Sequence, residues 1–145
     1  MNVKNMSSRP ILFASIVLYG ISMFLPGIIG KSGMSEEEFV LHGYWILLFG
    51  AFGVLKLIFA WYANLIFLFI LIFGKNEKPK NVLVASIIAF VLGLTALAVR
   101  DLPNLDAADS SVDRLAVGYY VWMTSLLLFV LYSYRKLKEV DSSNS

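Results

Sequence analysis

GYWILLFGAFGVLKLIFAWYANLIFLFILIF, Gly43 to Phe73, is a run of 31 residues whose one charged side chain is Lys56. As a straight helix it would measure about 46 Å, while the hydrocarbon core of a bilayer is about 30 Å thick. The run therefore reads as a membrane-spanning helix that is too long to cross straight. It must tilt, break or lie partly flat.

Three further apolar runs flank it: Ile11–Ile29, Val82–Val99 and Gly118–Tyr134. Each is close to the roughly 20 residues that a crossing needs. Lipid offers the backbone no hydrogen-bond partner, so each should be helical. The composition agrees. The chain is 59% hydrophobic and 15% charged, with a mean hydropathy of +0.75, where soluble domains are about 45–50% apolar and about 25% charged. The expected fold is all-α: one membrane domain, 1–145, forming a four-helix bundle with short tails at 1–9 and 135–145. Lys4 and Arg9 precede the first run as in a signal peptide. That run exceeds the usual h-region of about 7–15 residues and no small-x-small cleavage motif follows it, so it reads as a retained span.

Orientation follows from the cations. Lys4, Arg9, Lys75, Lys78, Lys80, Arg135, Lys136 and Lys138 fall on one side of the expected membrane, against Lys31, Arg100 and Arg114 on the other. The positive-inside rule then puts both termini in the cytoplasm. Tyr44 and Trp45, with Tyr119, Tyr120 and Trp122, open spans at the outer interface. Tyr132 and Tyr134 close one at the inner interface, where amphipathic rings also settle. His42-Gly43-Tyr44-Trp45 echoes Val117-Gly118-Tyr119-Tyr120, a likeness that interface chemistry explains without an internal duplication.

Lys56 and Asn64 form the candidate intramembrane polar site. A cation at a helix centre costs at least about 2.5–3.5 kcal/mol, so it calls for a functional or a geometric explanation. Geometrically, Tyr44–Leu55 would lie at the interface or re-enter, Lys56 would sit at a wet junction, and Leu57–Phe73 would cross. Functionally, Lys56 would face a bundle cavity. Trp61 and Tyr62 mark the outer interface if the crossing starts near Leu57 and the inner one if it starts at Gly43. Asn64 suits an interhelical hydrogen bond.

Other features read as structural. Pro26 stops the first span. Ala85, Ala89 and Gly93 repeat every four residues, as in a helix-packing face, within the bundle or between two copies. Glu36, Glu37 and Glu38 beside Ser35 resemble a capped, solvated helix start. A metal site is not expected, because His42 is the single histidine and lacks companions at ligand spacing. Arg100 and Asp101 read as an interface pair. The absence of cysteine excludes disulfide and thiol chemistry. Catalytic motifs are lacking, so no catalytic residue, cofactor or enzymatic activity is expected. The basic residues form no patch on a hydrophilic segment, which argues against nucleic acid.

Three stretches carry a family resemblance: Ser22-Met23-Phe24-Leu25-Pro26, Trp61-Tyr62-Ala63-Asn64 and Gly118-Tyr119-Tyr120-Val121-Trp122-Met123-Thr124-Ser125. Together they resemble a loose group of small, uncharacterised four-span inner-membrane proteins of bacteria. The resemblance implies fold and location, not activity. The size and layout are also similar to those of four-span bacteriocin immunity proteins. Small multidrug exporters differ in needing a glutamate in the first span, and vitamin K epoxide reductase relatives in needing cysteines. The expected function is that of a small, multi-pass inner-membrane protein acting through helix–helix contacts, such as a toxin-immunity protein or an accessory subunit. Its partners would be the lipid bilayer and a second membrane protein or further copies of itself. The alternative is an oligomeric channel or transporter for a small solute, built on Lys56 and Asn64.

Overall fold

The computed structural model describes residues 8–32, 37–51, 59–102 and 110–143. In chain order the elements are α1 (Arg9–Phe24), β1 (Pro26–Ser32), β2 (Glu38–His42), α2 (Gly43–Phe49), α3 (Tyr62–Phe73), α4 (Pro79–Leu94), β3 (Asp101–Leu102), β4 (Ser110–Leu115) and α5 (Val117–Ser143). A 3-10 turn, Thr95–Ala98, prolongs α4. Prolines set two of the boundaries. Leu25 is extended ahead of Pro26, and Lys78 is extended ahead of Pro79, because the residue before a proline is pushed out of the helical region. Pro79 itself opens α4, where its missing N–H leaves no bond unmade.

The chain is mostly helical but not all-α. The end of the expected first span and the two segments expected as outer loops pair into one antiparallel sheet of order β2-β1-β4-β3. β1 is central to the join: Lys31 lies opposite Glu38 on one side and Ser111 on the other. Gly30 permits the close approach, since a Cβ there would lie 2.7 Å from the Ser111 carbonyl oxygen and would overlap the Phe39 ring. The expected capped helix at the acidic run is corrected as well. Glu38 begins a strand in which Phe39 is half-buried and Val40 exposed, the period-2 pattern of a sheet with one covered face. Ser35 and Glu36 lie outside the described residues.

The helices pack beneath the sheet. α1 and α5 run antiparallel over their whole length. Gly118 abuts the Pro26 carbonyl at the sheet end. The Ser15 hydroxyl donates to the Ser125 carbonyl at 2.8 Å in the middle. The backbone N–H and hydroxyl of Ser8 both donate to the Glu139 carboxylate at 3.2 Å at the far end. α4 lies along the other side of α5, and α3 returns beside α4. Ala63, Phe67, Ala89, Leu126 and Phe129 form the buried centre.

Pro79–Ala98, with 20 residues, and Val117–Ser143, with 27, are each long and apolar enough to cross a membrane; Arg9–Phe24 and Tyr62–Phe73 are shorter apolar helices. Three boundaries move from their expected places. The first helix ends at Phe24, and Ile28 and Ile29 belong to β1. The last helix runs through the basic segment to Ser143, where the Lys138 ammonium lies 4.8 Å from the centroid of the Tyr134 ring. The long second run does break, into α2 and α3.

Candidate functional site

Asn64 is a buried polar residue where α1, α3 and α5 meet. It lies in the first turn of α3 and is 3% exposed. Its side-chain oxygen accepts the Tyr19 hydroxyl of α1 at 3.1 Å and the Trp122 indole N–H of α5 at 2.9 Å. Helical spacing supplies the neighbours. Phe67, three residues on from Asn64, stacks on Tyr19 at 4.5 Å between centroids. Tyr119, three residues before Trp122, donates its hydroxyl to the Gly93 carbonyl of α4 at 3.3 Å. Four helices therefore meet in a set of neutral hydrogen bonds.

The seams around this centre are lined by serines. Ser15, Ser22, Ser86, Ser125 and Ser133 are each at most 1% exposed. Ser22 donates to the Tyr19 carbonyl, Ser86 to Leu83, Ser125 to Trp122 and Ser133 to Phe129, at 2.7–2.9 Å. Such bonds within a helix hide the hydroxyl and keep the side chain small, so neighbouring backbones can approach. Away from the sheet, Phe67 packs edge-on against Phe129 at 4.9 Å and closes the centre. Chemically, the arrangement is a latch: the Asn64 oxygen has two donors, one for each lone pair.

The other expected site residues are spread over the fold. Ala89 is fully buried, and Gly93 faces α5, where a Cβ would lie 2.7 Å from the Met123 sulfur. Ala85 is half-buried and lines a groove between α3 and α4 instead. The buried face of α4 is thus Val82, Ser86, Ala89 and Gly93. Lys56 lies outside the described residues, so the pairing of Lys56 with Asn64 is not among the observed contacts. His42 closes β2 and stacks on Tyr44 at 5.8 Å. The Arg100 carbonyl accepts the Val112 N–H at 2.7 Å, tying the chain before β3 to β4.

No family model, curated protein or solved structure matches the chain.

Sequence reasoning singled out Asn64 but missed Tyr19 and Trp122 as its partners, and missed the serines. A signal existed for both. Ser15-Tyr19-Ser22 and Val82-Ser86-Ala89-Gly93 follow the alternating four- and three-residue steps of a helix seam. The four-residue Ala85–Ala89–Gly93 stripe drifts off that seam by one position.

α2 differs from the other helices. None of its seven residues is buried. Tyr44, Trp45 and Phe49 form an exposed ladder of ring contacts at 5.5 and 5.0 Å. Behind it the Trp61 indole N–H donates to the Leu47 carbonyl at 2.8 Å, and Gly50 packs against the same indole.

Proposed function

We propose that this chain is a four-span protein of a bacterial inner membrane, with both termini in the cytoplasm and the sheet outside. In this reading it has no chemistry of its own and acts by holding the outer sheet and α2 against another membrane protein. Toxin immunity and an accessory role in a larger complex are its concrete forms.

One observation carries this reading: around an apolar centre the helix seams bury serines and an asparagine, while many large apolar side chains face outward. The buried side chains include five seam serines and Asn64, while Phe13, Phe24, Leu48 and Ile72 are 66–77% exposed. A soluble fold places these residue types the other way round, whereas lipid-embedded helices turn small and polar groups inward and large apolar ones outward. The sheet also joins the two connections that carry few cations. Lys75, Lys78 and the tail lysines sit at the opposite end, which fits the positive-inside rule. The closed, hydrogen-bonded centre favours contact over transport. Tyr44, Trp45, Leu48 and Phe49 on α2 give a partner an aromatic, apolar surface beside the sheet.

The test is site-specific photo-cross-linking in native membranes. A cross-linker at Leu48 should give one discrete protein adduct, while one at Val84 should give lipid adducts only. Lys56→Gln should leave abundance and phenotype nearly unchanged. No protein adduct at Leu48, combined with solute flux in proteoliposomes that Lys56→Gln abolishes, would move the function to transport.

A further inference from the structure

A groove of about 640 Å³ lies between α3 and α4. Leu65, Phe69 and Ile70 of α3 and Val82, Ala85 and Ile88 of α4 form its walls, and Glu77 and Asn81 sit at its mouth. From Leu65 to Gly74 the groove follows α3 for nine residues, about 13 Å. One leaflet contributes about 15 Å of the hydrocarbon core. The groove is therefore about one leaflet long, and its hairpin end carries Glu77 and Asn81.

The chemistry of the mouth selects an occupant. Lys75, Lys78 and Lys80 are exposed around the hairpin, as a phosphate requires. Glu77, exposed on the same hairpin, is one of the residues that line the groove. A simple anionic headgroup would meet repulsion there, and a quaternary ammonium has no N–H to donate. A primary ammonium can donate to Glu77 and Asn81 while its phosphate meets the lysines. We infer that the groove binds an inner-leaflet glycerophospholipid with a primary-amine headgroup, one acyl chain lying between α3 and α4 and the ammonium held by Glu77. The inference rests on the membrane orientation proposed above.

Native mass spectrometry of the full chain in mild detergent, titrated with phosphatidylethanolamine, phosphatidylcholine or phosphatidylglycerol, tests it. Wild type should retain one phosphatidylethanolamine with a preference of about tenfold over phosphatidylcholine, on the scale of one charge-assisted hydrogen bond. Glu77→Gln, an exposed substitution that leaves the fold alone, should abolish that preference. Ala85→Phe should reduce retention of all three lipids by filling the groove. Equal retention of the three lipids by wild type, or an unchanged preference in Glu77→Gln, would overturn the inference. Fractionation of the same cells separates the two claims. A membrane-bound protein without lipid preference contradicts the lipid site alone, and recovery of the protein in the soluble fraction contradicts the membrane reading as well.

Discussion

The Trp61 indole N–H donates to the Leu47 carbonyl at 2.8 Å. In one continuous helix these residues would be about 21 Å apart along the axis. The run is therefore not one continuous helix, and α3 starts beside α2 rather than beyond it. Trp61 and Tyr62 consequently lie beside α2, toward the sheet end. Trp61→Phe keeps the ring but removes the donor, and should loosen α2 by about 1 kcal/mol. Hydrogen exchange checks this: amides of α2 should exchange faster while those of α5 keep their protection.

Asn64 joins three helices through one oxygen. Asn64→Leu should destabilise the protein in detergent by about 1–3 kcal/mol, since it leaves the Tyr19 hydroxyl and the Trp122 indole N–H without their acceptor. Tyr19→Phe and Trp122→Phe should each cost less, about 0.6–1.7 kcal/mol. A double-mutant cycle read by thermal unfolding should show the two changes coupled through Asn64. Strict additivity would mean that the two bonds act independently of each other.

Two glycines should respond with opposite signs. At Gly118 a Cβ would lie 2.7 and 2.9 Å from the Pro26 and Leu25 carbonyl oxygens, which are backbone and cannot swing aside. Gly118→Ala should therefore separate α5 from the sheet end of α1, at a cost of about 1–3 kcal/mol. At Gly20 a Cβ would meet nothing within 4 Å. Gly20→Ala should be neutral, or stabilising by up to about 1 kcal/mol, from helix propensity. Unfolding midpoints of the two variants against wild type decide this.

The helices were legible because each is a long apolar run, and the hydrophobic period needs no partner to be seen. The sheet was not. β1 opens on Pro26 and contains Gly27 and Gly30, while β4 begins Ser110-Ser111-Val112-Asp113. Each alone resembles a loop, and their pairing joins residues more than 75 positions apart, such as Lys31 and Ser111. Asn64 stood out as an amide in an apolar run. Its partners did not, because Trp122 also suits an interface belt and Tyr19 is one ring in an apolar run, and only the packing of α1, α3 and α5 brings both to Asn64.

Because the chain has no cysteine, the proposed placement of the sheet outside the membrane can be measured directly. Ser111 is exposed on β4 and Lys78 is exposed in the hairpin between α3 and α4. Single-cysteine variants, Ser111→Cys and Lys78→Cys, treated with a membrane-impermeant maleimide, read the two ends separately with no background thiol. The account predicts that Ser111→Cys labels in cells whose inner membrane is intact and that Lys78→Cys labels only after that membrane is permeabilised. Labelling of Lys78→Cys in intact cells with Ser111→Cys protected, or equal labelling of both, would contradict it.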